Sequence, residues 1–371
     1  MKKKIAFVGN SSLTMINFRL GVIVELSKLY EMVIITPEDS DVEILHRYGI
    51  RFIPIDVDCR GTNPLKDWQL LQTLIRLYRE EKFDFVFHYT IKPIVYASIA
   101  AQRTGIPYIP VITGLGYTFL RRNWLFLVSA LLHKYALKNA EQVWFLNQSD
   151  YDFFVRHRLV DMKRAEVIHG EGVNINKFVP SGEHPKKFTF LYFGRMLRTK
   201  GIEHYVEAAR RLQAQYPEAE WQMLGPLDSL NPDAIAPREM EEWVQKGYVK
   251  YKGVSHDVRP YLAACSCVVL PTYYMEGVPR SLMEAAAMGV PLIATDQAGC
   301  TDVVIDGENG YLCRLRDTES LMQAMQRMLK LSASQLQDMG RKGRQLMVEH
   351  FDEKIVIQRY KQTLKNQFDK C

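Results

Sequence analysis

At 371 residues, with 47% hydrophobic and 24% charged residues, the chain has the make-up of an ordinary globular protein and more length than one compact domain needs. Its net charge of +6 comes without a long basic stripe interleaved with aromatics, which argues against nucleic acid as a partner. No apolar run reaches the length of a membrane span, and the start, MKKKIAFVGNSS, has too short an apolar core for a signal peptide.

In chain order, the runs KIAFVG (4–9), MVIITP (32–37), RFIPIDV (51–57), FDFVFHY (83–89), PYIPVIT (107–113) and QVWFLNQS (142–149) read as buried strands. Helical segments such as 16–30 and 67–81 lie between them. Apolar runs that alternate with helices and show little period-2 pattern predict a parallel sheet covered on both faces. The stretch RRNWLFLVSALLHKYALK (121–138) is basic, then apolar and aromatic, then basic again. It reads either as a core helix with charged ends or as a helix resting on an anionic membrane.

Residues 170–187 are rich in Gly, Pro and Asn, lack apolar periodicity and read as a linker. The grammar then restarts at FTFLYFGR (188–195), AEWQMLG (219–225), VKYKG (249–253), SCVVLPT (266–272) and VPLIATD (290–296), and ends in a charged helical tail. The expectation is an α/β protein with two facing, doubly wound Rossmann-like domains, 1–172 and 188–345, joined by a linker at 173–187 and followed by a tail at 346–371. Ligands in such sheets sit beyond the carboxyl ends of the strands. The six cysteines, at 59, 265, 267, 300, 313 and 371, form no CxxC pair and read as buried thiols of a reducing cytoplasm.

Two post-strand loops carry candidate chemistry. In GRMLRTKG (194–201), Gly194 permits close backbone approach, and Arg195 and Lys200 place cations beside a helix start. Phosphate binds well there, because unpaired amides and the helix dipole add to the side-chain charge. A solvated basic turn would look the same. In YYMEGVPRSLMEAAAMG (273–289), a helix is expected to start near Pro279–Ser281 and end at Gly289. The Gly277-Val278-Pro279 backbone delivers amides, and Glu276 and Glu284 bracket the turn. Diphosphate charge on the cations and amides, with hydroxyls on the two carboxylates, describes a nucleotide sugar.

These two loops resemble the donor site of retaining GT-B glycosyltransferases of family GT4, and Glu276-x7-Glu284 matches that family's E-x7-E pattern. The likeness covers essentially the whole chain. It implies a GT-B fold whose C-terminal helix crosses back to the N-terminal domain. It also implies that Glu276 contacts the transferred sugar as a catalytic residue, Glu284 the ribose, and Arg195 and Lys200 the diphosphate. Backbone around Gly253, Val254 and His256 would meet the base.

HYTIKPIVYASIAAQRTGIPYIPVITGLGYTF (88–119) and NSSLTMINFR (10–19) resemble the capsule, O-antigen and lipid-linked oligosaccharide branch. On that likeness His88 is expected to reach toward the donor sugar, against the commoner fate of a lone histidine as a structural residue. Asn10, Ser11, Arg19, Lys92, Arg121 and Arg122 are expected to meet the acceptor. Many members carry two or more glycines in the first loop. This chain has only Gly9, which shifts weight onto Asn10, Ser11 and Ser12.

The implied activity is retaining transfer of an N-acetylhexosamine or hexose from a UDP-sugar to a lipid-diphosphate-linked saccharide in bacterial surface polysaccharide assembly. The implied place is the cytoplasmic face of the membrane, with peripheral contact. DSD (39–41) stands apart from the cationic loops and reads as a turn, so no metal or other cofactor is expected and the nucleotide sugar is a co-substrate. Two other readings compete. A nucleotide-sugar 2-epimerase of similar fold would need carboxylates and histidines placed for proton transfer. A non-catalytic nucleotide-sugar-binding partner would be freer to lose Glu276, Arg195 and Lys200.

Overall fold

The computed structural model describes residues 2–39, 41–58, 61, 63–114, 124–182, 185–228 and 231–369. The chain divides into two compact units, Met1–Gly172 with Glu353–Cys371, and Val173–Asp352.

In the first unit, strands β1 (Lys4–Val8), β2 (Glu31–Thr36), β3 (Arg51–Pro54), β4 (Phe85–Tyr89), β5 (Tyr108–Ile112), β6 (Val143–Phe145) and β7 (Ala165–Val167) form one sheet. Its order is β3-β2-β1-β4-β5-β6-β7, with every pairing parallel. Helices α1 (Ser12–Ser27), α2 (Val42–Arg47), α3 (Pro64–Glu81), α4 (Ile91–Thr104), α5 (Trp124–Leu137) and α6 (Gln148–Arg156) supply the connections. All five residues of β4 are buried, as a sheet covered on both faces requires. The helix ends follow local chemistry. Asn63 accepts the Leu65 amide to start α3 with Pro64 in its first turn, and Gly105 ends α4 at φ 73°.

The last helix, α13 (Glu353–Phe368), belongs to this unit. Its Tyr360 is buried among Phe7, Phe87 and Trp144, at centroid distances of 5.6, 4.9 and 4.9 Å, and its hydroxyl meets that of Tyr89 at 2.8 Å. The helix starts at Glu353 rather than near 346 because α12 (Ala333–His350) runs to His350 within the second unit.

The second unit holds β8 (Thr189–Phe193), β9 (Glu220–Leu224), β10 (Lys250–Tyr251), β11 (Cys267–Leu270), β12 (Leu292–Thr295) and β13 (Gly310–Cys313). Their order is β10-β9-β8-β11-β12-β13, again all parallel. Its helices are α7 (Ile202–Leu212), α8 (Pro237–Gln245), α9 (Arg259–Ala263), α10 (Arg280–Ala287), α11 (Thr318–Leu329) and α12. Cys265, Cys267, Cys300 and Cys313 are free and buried, while Cys59 and Cys371 lie outside the described residues.

The stretch expected as a linker is stitched to the second unit. The Val173 amide donates to Phe351 O at 2.8 Å, and the Arg344 guanidinium donates to the carbonyls of Ile175, Phe178 and Ala287. Asn174 Oδ1 caps the amides of Asn176 and Lys177. Backbone groups that lack a helix or strand partner are satisfied here by side chains instead.

Candidate functional site

In a doubly wound sheet the ligand crevice opens where the strand order reverses. In the second unit that point lies beyond β8 and β11, because β8 joins β9 on one side and β11 on the other. Both loops singled out from the sequence leave the sheet there. Gly194 follows β8 at φ 149°, Arg195 is exposed, and a short 3-10 turn, Arg198–Lys200, leads into α7. Gly201 is required by the packing. Its φ is 77°, and a Cβ would fall 1.9 Å from the Pro271 carbonyl oxygen.

The other loop leaves β11 through Thr272 and reaches α10. Pro279 is the residue before the helix, and Gly289 at φ 73° follows it, as the spacing predicts. First-turn amides of a helix have no acceptor within it, so Gly277, Val278 and Pro279 lead into a natural anion seat.

The two loops meet through side chains. Lys200 is ion-paired with Glu276, at 14% and 12% side-chain exposure, and its ammonium lies 5.5 Å from the Tyr274 ring centroid. The Thr272 hydroxyl donates to Glu276 Oε1 at 3.2 Å. Beneath them, burial with Glu276 nearby pushes the Tyr192 hydroxyl well above its usual range, and this hydroxyl donates to Arg195 O at 2.8 Å. Glu284 lies one turn into α10 and accepts from Arg280 Nε at 2.7 Å. Burial raises its carboxyl above the usual range, while Arg280 opposes that.

Sequence reasoning missed the supports of this site. The Asp233 carboxylate accepts from the Thr199 amide at 3.0 Å and from its hydroxyl, and the Thr199 carbonyl takes the amides of Tyr273 and Tyr274 at 2.9 and 3.0 Å. Arg198 forks onto Glu239 at 2.6 and 3.1 Å. Gln297 Nε2 donates to Tyr274 O at 2.8 Å, and a Cβ on Gly299 would lie 2.2 Å from Gly277 O. No local pattern marks Asp233 or Gln297, since their partners lie in other loops.

Beyond β10, Gly253 sits at φ 71° and its carbonyl takes the Gly225 amide at 2.8 Å. Val254 and His256 are exposed in the loop that follows. These residues stand at the same strand ends as Gly194 and Arg195.

In the first unit the reversal lies beyond β1 and β4. Asn10 and Ser11 follow β1, but Ser11 is committed to α1: its hydroxyl accepts the Thr14 amide, and Asp39 gathers the Ser11 and Ser12 hydroxyls and the Ser12 amide. Asp39 therefore serves as an anionic cap on that helix.

The expectation for His88 is corrected. Its ring is fully buried, with Nε2 at 3.0 Å from the Tyr78 hydroxyl and Nδ1 at 2.9 Å from Ser98 Oγ. Burial lowers its pKa to about 3. It faces α3 and α4 rather than the strand end, and both nitrogens are satisfied. Arg19 and Lys92 are corrected likewise. Arg19 is buried in an ion pair with Glu171, over the Tyr89 ring at 3.9 Å. Lys92 Nζ is held by Asp67 at 2.6 Å. Arg121 and Arg122 lie outside the described residues. Thr90, directly after β4, has φ 67°, a strained conformation for a β-branched residue at a strand end.

Two parallel sheets of this order, with paired loops beyond one set of strand ends, match the architecture of the GT-B fold. Residues 187–331 match the family of glycosyl transferases group 1, and residues 4–147 match glycosyl transferase 4-like proteins. The chain belongs to the group 1, GT4-like glycosyltransferases.

It is 26% identical to the Campylobacter jejuni N,N'-diacetylbacillosaminyl-diphospho-undecaprenol alpha-1,3-N-acetylgalactosaminyltransferase, over 96% of this chain and 97% of that protein. It is 25% identical to the Escherichia coli UDP-Gal:alpha-D-GlcNAc-diphosphoundecaprenol alpha-1,3-galactosyltransferase, over 75% of each. Among solved structures, a Rickettsia africae glycosyltransferase superposes with TM-score 0.80 at 16% identity, covering 99% of both chains. Anabaena HepE in complex with UDP-glucose superposes with TM-score 0.79 at 18% identity, covering 98% and 99%.

Proposed function

We propose that this chain transfers a hexose or N-acetylhexosamine from a UDP-sugar, with retention, to a saccharide carried on a lipid diphosphate during surface polysaccharide assembly. The observation that carries it is the Lys200–Glu276 pair beside Arg195 and the start of α10. Relatives named for undecaprenyl-diphosphate acceptors and a UDP-glucose complex of the same fold support the substrate classes.

In this reading Arg195, Lys200 and the α10 amides take up the charge of the departing diphosphate, and no metal is needed for that step. The acceptor oxygen bonds to the anomeric carbon on the face from which UDP leaves. The carbon–phosphate oxygen bond breaks with its electron pair on UDP, and the acceptor proton passes to the departing phosphate. Glu276 holds the sugar hydroxyls and Glu284 the ribose.

Peripheral membrane contact, on the cytoplasmic face, belongs to the same proposal. No helix among the described residues is long and apolar enough to cross a membrane. On α5, Trp124, Leu127, Val128, Leu131 and Tyr135 are all exposed, at spacings of three and four that place them on one face. Lys134 and Lys138 lie at its C-terminal end. An exposed apolar stripe with basic flanks suits the interface of an anionic bilayer.

The test is thermal stabilisation by UDP, GDP or phosphate, followed by transfer from UDP-sugars to polyprenyl-diphosphate-linked acceptors with and without EDTA. UDP-specific stabilisation and an EDTA-insensitive transfer are expected. Stabilisation without transfer to any such acceptor would favour the binding-partner reading.

A further inference from the structure

Arg280 has no role in the donor assignments so far. It opens α10, and its Nε donates to Glu284 Oε1 at 2.7 Å, with the two side chains 19% and 13% exposed. The remaining charges that face Glu284 come from two other segments. Lys177 favours its ionised form, and Asp257, in the loop before α9, opposes it. Asp257 is itself held by Arg259, whose Nε and Nη2 approach it at 2.8 and 2.7 Å. Glu284 Oε2 takes no hydrogen bond among the described residues, and it is not one of the polar atoms sealed from solvent. One oxygen is therefore tied and the other is open.

We propose that Arg280 is a positioning residue for the nucleotide: it anchors Glu284 by one oxygen so that the other is presented to the ribose hydroxyls. The inference rests on the reading of Glu284 as the ribose contact. Both residues stand on one rigid helix, four positions apart, so the carboxylate is oriented before the ligand arrives. A hydroxyl donates best to a carboxylate that is ionised, and a charge-assisted bond of that kind is about twice as strong as a neutral one. Burial works against ionisation here, and Arg280 is the nearest group that works for it.

The sign of the effect follows. Without the guanidinium the Glu284 carboxyl titrates at higher pH, so nucleotide binding is lost earlier as pH falls. The experiment is calorimetric titration of UDP into the wild-type chain, Arg280→Gln, Arg280→Lys and Glu284→Gln, from about pH 8 down to about pH 5. Arg280→Gln is expected to bind UDP about tenfold more weakly near neutral pH, with its acid limb at least about one pH unit above that of the wild type. Arg280→Lys should restore part of the shift, and Glu284→Gln should bind weakly with no limb from this group. Arg280→Met, which keeps the aliphatic stem, carries the same comparison if the Gln variant folds poorly. Weaker binding by the same factor at every pH, with the limb unmoved, would overturn the proposal. A wild-type chain that binds no UDP at any pH would instead remove the nucleotide-sugar reading beneath it.

Discussion

Lys200 and Glu276, 76 positions apart in the chain, are ion-paired at the carboxyl ends of β8 and β11, with side chains 14% and 12% exposed. The cation proposed for the diphosphate and the carboxylate proposed for the sugar hydroxyls thus neutralise each other. In the proposed reading, donor binding exchanges that pair for a diphosphate on Lys200 and sugar hydroxyls on Glu276.

The two partners should fail differently. Lys200→Ala leaves Glu276 enclosed without its cation, so it should lower stability by about 1–3 kcal/mol and abolish stabilisation by UDP. Glu276→Gln keeps the diphosphate contacts and should retain the UDP-dependent thermal shift, while transfer falls by about a hundredfold or more. Thermal shift and initial transfer rates separate these outcomes. Equal loss of UDP binding in both variants would show that Glu276 is a nucleotide contact rather than a sugar contact.

His88 should behave as a core residue. His88→Asn loses its bonds to Tyr78 and Ser98 and should cost about 2–3 kcal/mol at neutral pH, with turnover per folded molecule nearly unchanged. Burial holds His88 at about 3 and His133 at about 4, both below the unfolded value of 6.5. The unfolded chain binds those protons first, so stability is full above about 6.5 and falls as pH drops toward the folded values. At pH 5 each histidine should cost about 2 kcal/mol relative to neutral pH. Denaturant titrations should therefore show a pH 7 to pH 5 decline that is smaller by about that amount in His88→Asn. A large fall in turnover with stability unchanged would return His88 to the catalytic site.

The two post-strand loops that meet beyond β8 and β11 were legible in the sequence because their signals are local. Glycines, two cations and a Pro-started helix lie within a few residues of strands that read as apolar runs, and Glu276 and Glu284 share one short segment. His88 and Arg19 misled for the opposite reason. Their surroundings come from distant positions: Tyr78 and Ser98 satisfy both ring nitrogens of His88, and Glu171 and Tyr89 hold the Arg19 guanidinium in a buried ion pair over an aromatic ring. The strands β7 and β13 were missed for want of an apolar run: β7 is three residues, all half-buried, and β13 begins at a glycine. β6 is three residues long because Asn147 ends it by accepting the Asp150 amide and starting α6.

The exposed face of α5 should govern membrane contact. Replacing Trp124 and Leu127 with Ser removes two of its largest exposed apolar side chains, 69% and 62% accessible, without touching buried Ala136 or Leu137. Co-sedimentation with anionic vesicles should drop about tenfold or more, and salt should weaken what remains. UDP binding and melting temperature should stay at wild-type values. Unchanged vesicle binding would remove α5 from the membrane-facing surface.

Asp233 should set the geometry of both donor loops without touching the donor. It fixes Thr199 through the amide and hydroxyl, and the Thr199 carbonyl in turn takes the amides of Tyr273 and Tyr274, at 2.9 and 3.0 Å. Lys200 follows Thr199 directly, and Glu276 follows Tyr274 by two residues, so a shift at Thr199 moves both members of the ion pair. Asp233→Ala should lower kcat/KM for the donor by about ten- to a hundredfold, because displacement of positioned groups by about 1 Å is costly even where no contact is deleted. The stability loss should be only about 1–2 kcal/mol, since the Arg198 amide bond to the residue 233 carbonyl and the Arg198–Glu239 fork persist. Asp233→Asn, which keeps an acceptor for the Thr199 amide, should recover part of the loss. Steady-state kinetics beside melting curves decide the matter: variants that lose stability but keep wild-type kcat and KM would show that Asp233 braces the fold and does not set the donor geometry.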